Sequence, residues 1–256
     1  MLKEELENCS IRRTLNQVRD DMPSKTVTTE LIEMSDQHRK FYEAIKKGVK
    51  EEADKINLNS SNLLALTTRL RQATACPSIL TTQEIVSSKV ERCCELASDL
   101  IEQGQKVVIM SIFKEPVHQL AKLLARYNPT VNTGDIPDAT VSKNVDDFQN
   151  NPDSKLFIGT MAKCGTGLTL NAANYMICLD QAWTAALNNQ VYDRIYRVTN
   201  TKPVFITVLM CKDTIDERVN QVSQFKQDLS DYVIDNKTNE LATSLKDEML
   251  SIIKEL

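Results

Sequence analysis

Apolar positions recur at helical spacing over the first third of the chain. Over the rest they gather into short continuous runs, and the change falls near residue 87. Before it, Phe41, Ile45, Val49, Ala53 and Ile56 share one face of a helix that Ser35 can cap, so a helix is expected to about residue 56. A polar break at 57–62 precedes a second helix, from about residue 61 to 75, with Leu63, Leu66, Leu70 and Ala73. Cys76-Pro77 ends it, because the residue before a proline is driven out of the helical region. A short extended segment, 26–34, follows Pro23. Two long helices with few strands predict a helical subdomain.

Beyond residue 87 the pattern alternates. Ser88 caps a helix bearing Val90, Cys94, Ala97 and Ile101, and Gly104 closes it. KVVIMSIF, residues 106–113, is the unbroken apolar run of a strand buried on both faces. Pro116 suits the first turn of the next helix, which buries Val117, Leu120 and Leu124. A short strand at 130–132, a turn at Gly134-Asp135 and a helix with Val141, Val145 and Phe148 follow. The strands KLFIGT, YMICLD and VFITVLM then alternate with helical segments. Such alternation predicts an α/β fold, a mostly parallel sheet with right-handed crossovers. Thr214 is the expected N-cap of a helix carrying Ile215, Val219, Val222 and Phe225, and a last amphipathic helix is expected from about residue 239.

Composition changes this picture little. The 256 residues are 41% hydrophobic and 26% charged, with net charge −4, which excludes a protein coated in positive charge but leaves room for a local basic groove. The seven cysteines are an odd number without metal-ligand spacing, and His38 and His118 lie far apart. Buried thiols of an intracellular protein, with no structural metal, are therefore expected. No run approaches the ~18 apolar residues of a membrane span, and the first ten residues lack an apolar leader core. No membrane association is expected.

The candidate chemistry lies in residues 155–208. Arg194 and Arg197, three apart on an expected helix, should leave one face, behind strands whose C-terminal ends carry Thr160, the Gly165–Gly167 turn and Asp180. Guanidinium groups stay charged and grip phosphate oxygens two at a time. On spacing alone the alternative is a solvated helix face, with Asp193 pairing one arginine. Glycines at 165 and 167 let backbone approach a phosphate or a neighbouring lobe, or simply make a tight turn. No G-x-x-x-x-G-K-[ST] segment occurs, so the chain has no phosphate-cradling loop of that kind. Asp180 can orient an arginine, Trp183 reads as a packing residue, and Asp216-Glu217 reads as surface charge on a helix.

The order of these pieces resembles motifs V and VI of the Swi/Snf family of superfamily-two helicases. The resemblance runs without a gap through TMAKCGTGLTLNAANYMICLDQAWTAALNNQVYDRIYRVTNTKPV. Ile11-Arg12-Arg13-Thr14 with Pro23 and Lys25, Leu70-Arg71-Gln72 before Cys76-Pro77, Ser88-Lys89-Val90 with KVVIMSIF as motif IV, and DTIDERV extend it over roughly residues 11–222. The chain departs from the pattern at Ala162, at Cys164 for a glycine, at Thr184-Ala185 for Asn-Pro, and at Val198-Thr199-Asn200 for a hydrophobic-Gly-Gln ending.

The resemblance implies a RecA-like lobe of the P-loop-NTPase type (87–222), preceded by a helical subdomain and inter-lobe linker (1–86) and followed by a helical extension (223–256). It implies ATP and Mg2+ held mainly by an N-terminal RecA-like lobe of the same protein, and double-stranded DNA as partner. Arg194 and Arg197 would be arginine fingers and Gln190 would help close the cleft. Gly165, Gly167 and Asp193 would lie near the nucleotide. Ser111, Phe113, Thr160 and Lys163 would follow the DNA, and Arg12 and Arg13 would sit near the hinge. A degenerate lobe that only binds DNA or a protein is the second implication, favoured by the altered motif ends and opposed by Gln190, Asp193, Arg194 and Arg197.

Overall fold

The computed structural model describes residues 22–55, 60–165 and 167–224. In chain order these form β1 (Lys25–Ile32), α1 (Asp36–Ala53), α2 (Ser60–Ala75), α3 (Ser88–Glu102), β2 (Val107–Ser111), α4 (Lys114–Leu123), β3 (Thr130–Asn132), α5 (Asp138–Asn150), β4 (Leu156–Thr160), the single turn α6 (Met161–Cys164), β5 (Tyr175–Cys178), α7 (Ala185–Tyr192) and β6 (Val204–Cys211). Helix α8 spans 215–224. One six-stranded sheet has the order β1-β6-β5-β2-β4-β3, and every pairing is parallel.

The central strands read as they do because both faces are covered. All five residues of β2 and all five of β4 are buried. Successive strand side chains point to opposite faces, so Val107 and Ile109 pack with Val90, Ala97, Val117 and Leu120 of α3 and α4. Val108 and Met110 pack with Phe148 of α5 and with Val191 and Tyr192 of α7. A third cluster joins Tyr42 and Val49 of α1, Leu63, Leu66 and Leu70 of α2, and Ile215, Val219 and Val222 of α8.

The stretch expected to be a helical subdomain also builds the sheet. β1 pairs with β6 over eight residues, from Lys25↔Val204 to Ile32↔Cys211. Its pattern is hard to read because an edge strand need bury little: Val27 and Leu31 are exposed. Helix α1 starts at Ser35 as expected, the hydroxyl accepting the His38 N–H at 3.3 Å. Its buried face adds His38 and Tyr42. His38 Nε2 lies 2.8 Å from Ala73 O and its Nδ1 accepts the Ser88 N–H at 3.2 Å, so this ring joins α1, α2 and α3. Ser87, not Ser88, caps α3, accepting the Val90 N–H at 3.4 Å, and Cys93 is buried more deeply than Cys94. The hinge residues Arg12 and Arg13, Ile56, Phe225 and the expected helix from residue 239 lie outside the described residues. Among the described residues no helix is long and apolar enough to cross a membrane.

Candidate functional site

Helix α7 stops at Tyr192, with Asp193 as its C-cap. The expectation that Arg194 and Arg197 share a helix face is corrected: both belong to the turn that follows. That turn begins with the Arg194 N–H donating to Val191 O at 3.0 Å and the Ile195 N–H to Tyr192 O at 3.2 Å. The two guanidinium groups converge all the same. Arg194 Nη1 and Arg197 Nη2 each donate to Leu168 O at 3.1 Å, on the loop after Gly167. Arg194 Nε also donates to Gln190 O at 3.0 Å, which joins Gln190 to the group through its backbone. Burial first, and the neighbouring charge of Arg197 second, lower the Arg194 pKa from its usual value. Asp193 is not the partner considered from spacing; its carboxylate meets Lys25 Nζ of β1 at 3.3 Å. Arg197 Nε is buried without a hydrogen-bond partner.

The glycine loop faces this turn because its geometry excludes larger residues. A Cβ on Gly165 would stand 2.5 Å from Met161 O, whose carbonyl accepts the Gly165 N–H at 2.7 Å. The same Cβ would stand 3.8 Å from Val191 Cγ2 of α7. Gly167 has φ +72°, in the left-handed region that other residues enter at a cost. The Leu170 N–H donates to Arg194 O at 2.8 Å, a second link between loop and turn. Cys164, where the Swi/Snf pattern has glycine, is a packing residue. Its Sγ fills the space beside Gly159, and burial pushes its thiol up to about 12. Lys163 next to it is ion-paired with Asp138.

The residues expected along nucleic acid gather at the strand ends. Ser111 and Thr160 are register partners on β2 and β4, and both are buried. Ser111 Oγ donates to Asp180 Oδ2 at 2.5 Å and accepts the Phe113 N–H at 3.1 Å. The Ile112 N–H reaches the same Asp180 oxygen at 3.2 Å. Asp180 therefore shapes the turn into α4. Lys89 Nζ lies 3.8 Å from Asp180 Oδ1, and Arg71 lines the same pocket.

Lys89 is the centre of a buried cluster that the sequence did not disclose. Its ammonium, fully buried, meets Asp216 Oδ2 at 2.6 Å and donates to Leu179 O at 2.9 Å. Burial works against its charge, but Asp216 and Asp180 outweigh it and raise its pKa. Asp216 is thus no surface charge: it also accepts from Thr74 Oγ1 at 2.9 Å and from the Cys211 N–H at 3.0 Å. Arg71 donates to Gln181 O and lies over the Trp183 ring at 5.3 Å, which gives Trp183 its packing role. The available signal was a charged residue beside apolar ones, Lys89 before Val90 and Asp216 after Ile215. Among the described residues no group of three His, Cys, Asp or Glu is placed to hold a metal ion.

The structure therefore makes two assemblies on one sheet. Gly165, Gly167, Gln190, Arg194 and Arg197 meet around Leu168 O. Ser111, Phe113 and Thr160 meet at the ends of β2 and β4, with Lys163 one turn beyond.

Residues 88–199 match the family described as the helicase conserved C-terminal domain. An uncharacterized ATP-dependent helicase of Mycoplasma pneumoniae is 27% identical over 95% of this chain, and the matched part is 24% of that protein. The ATP-dependent helicase FUN30 of Saccharomyces cerevisiae is 29% identical over 65% of this chain, which covers 15% of it. The chain spans about a quarter of the length of the first curated relatives it matches. Among solved structures, the Sulfolobus solfataricus SWI2/SNF2 ATPase core domain shares the fold, with TM-score 0.72 and 23% identity over 99% of this chain and 54% of that one. The C-terminal part of the Fun30 ATPase domain gives TM-score 0.69 at 19% identity, covering 92% of this chain and all of that one. Residues 88–199 thus carry the match to a helicase conserved C-terminal domain, and the parallel sheet around them has the fold of the SWI2/SNF2-type ATPase lobes.

Proposed function

We propose that this lobe is half of an ATP-driven motor on double-stranded DNA, with Arg194 and Arg197 as its arginine fingers. One observation carries the reading: two guanidinium groups from one turn meet at Leu168 O beside the glycine loop, with Arg197 Nε buried and unpartnered. Two cations held side by side form a receptor for an anion bearing several oxygens. In phosphoryl transfer, charge on the transferred phosphoryl group is stabilised by such arginines, each worth roughly 10³–10⁵ in rate. The matched helicase relatives carry ATP dependence in their names. Mg2+ in such motors is bound through one or two carboxylates and the nucleotide's phosphates, and it is assigned here to the other lobe.

Contacts to DNA would run along its phosphates, by way of Phe113, Lys163 and the backbone around Ser111 and Thr160. Such contacts position a protein without reading sequence, and they suit a chain of net charge −4 with local cations only. A similar Sulfolobus solfataricus SWI2/SNF2 ATPase core is described in complex with double-stranded DNA.

The test is reconstitution. The isolated chain should hydrolyse no ATP, and hydrolysis stimulated by duplex DNA should appear when the chain is joined to its N-terminal lobe. Robust, arginine-dependent hydrolysis by the isolated chain contradicts the proposal. DNA binding without hydrolysis in the joined protein supports the degenerate, interaction-only lobe instead.

A further inference from the structure

The turn that carries Arg197 is closed by the side chain of Asn200. Asn200 Oδ1 accepts the Arg197 N–H at 2.7 Å, and the Asn200 N–H donates back to Arg197 O at 2.9 Å. One residue thereby fixes the peptide groups on both sides of the Arg197 Cα. Asn200 is buried, so water competes little for these bonds. Val198, between them, is 44% exposed, so the turn is held by polar bonds rather than by burial of that residue.

A second set of amides braces the same turn from outside. Asn171 Nδ2 donates to Thr199 Oγ1 at 2.7 Å, Gln149 Nε2 of α5 donates to Asn171 Oδ1, and Gln149 Oε1 accepts the Ala172 N–H at 2.9 Å. Residues 197–200 are thus anchored to a helix across the sheet face. These are the positions where the Swi/Snf pattern has glycine and glutamine and this chain has Thr199 and Asn200.

We propose that Asn200 is a positioning residue for Arg197: it sets the backbone from which the guanidinium is aimed at the phosphate. The proposal rests on the reading of Arg197 as a phosphate-facing group. The Asn200 amide touches no reacting atom. It acts by holding Arg197 where its Nη2 reaches Leu168 O and its Nε stays available.

The test compares Asn200→Ala with Asn200→Asp in the full-length, two-lobed protein, alone and combined with Arg197→Ala. Alanine removes the acceptor, while aspartate keeps an oxygen in its place. Asn200→Ala should lower kcat for DNA-stimulated ATP hydrolysis about tenfold to a hundredfold, the effect of a misplaced catalytic group. The nucleotide Kd, read by titration with a fluorescent ATP analogue, should stay within about twofold, because the loss belongs to the transition state. Asn200→Asp should recover most of the rate, and Asn200→Ala should change nothing further once Arg197 is alanine. If Arg197→Ala abolishes hydrolysis while Asn200→Ala keeps wild-type kcat, the positioning role is overturned and the finger reading stands. If Arg197→Ala itself turns over normally, both are overturned. A fall of kcat, nucleotide affinity and Tm together, with no rescue by aspartate, marks Asn200 as a structural prop and also overturns the proposal.

Discussion

At the scale of single residues, the notable contact is a carbonyl oxygen shared by two cations. The lowered pKa of Arg194, caused by burial and then by Arg197, records a place where positive charge is crowded. A lysine there would keep the charge but lose the planar fork, so Arg194→Lys should leave the fold intact and cut hydrolysis strongly, as steady-state kinetics would show. Gly167 is the residue whose conformation depends most on having no side chain. Gly167→Ala at φ +72° should cost about 1–2 kcal/mol, measured as a shift in urea midpoint.

His38 gives a pH dependence with a definite sign. Burial lowers its pKa from the ordinary 6.5, so the folded lobe prefers the neutral ring and the unfolded chain binds more protons. Its contribution to stability is complete above pH 6.5 and is lost as the pH falls below that value toward the folded pKa. His38→Gln should flatten the Tm profile between pH 7 and pH 5, by differential scanning calorimetry; an unchanged slope would refute this. The arginines were legible in the sequence as a pair, but their geometry was not, because nothing local marks Tyr192 as the end of α7. Asp216 was misread because its partners, Lys89 and Thr74, come from distant parts of the chain.

At the scale of elements, periodicity was a good guide where one side of a helix is buried. The leucines of α2 and the apolar runs of β2, β4, β5 and β6 took the places their spacing predicts. It marked the 26–34 stretch as extended but did not place β1 in the sheet, because its threonines and exposed Val27 and Leu31 carry no inward stripe. β1 is defined by its partner, β6, far along the chain. The tie between α1 and α8 is likewise non-local: Tyr42 Oη accepts the Ile215 N–H at 2.9 Å inside the third cluster. Tyr42→Phe leaves that N–H buried and unpaired, and should cost about 1–3 kcal/mol in chemical denaturation. A wild-type midpoint would show that water replaces the hydroxyl.

At the scale of the whole molecule, the sheet carries two groups of residues. The ends of β2 and β4 present Ser111, Phe113 and Thr160, while the loop after α6 and the turn after α7 gather the glycines and arginines. The Lys89 cluster lies beneath the first group, bridging α3, the end of β5 and α8. In the proposed reading this arrangement supplies cations to an anion, and the sequence has no G-x-x-x-x-G-K-[ST] loop to hold one alone, as half an active site would. The most direct measurement is single-turnover ATP hydrolysis by the full-length, two-lobed protein carrying Arg197→Ala, with nucleotide binding measured on the same sample. The account predicts loss of DNA-stimulated hydrolysis by roughly a thousandfold or more, with nucleotide binding largely retained. Wild-type turnover in that variant would contradict it.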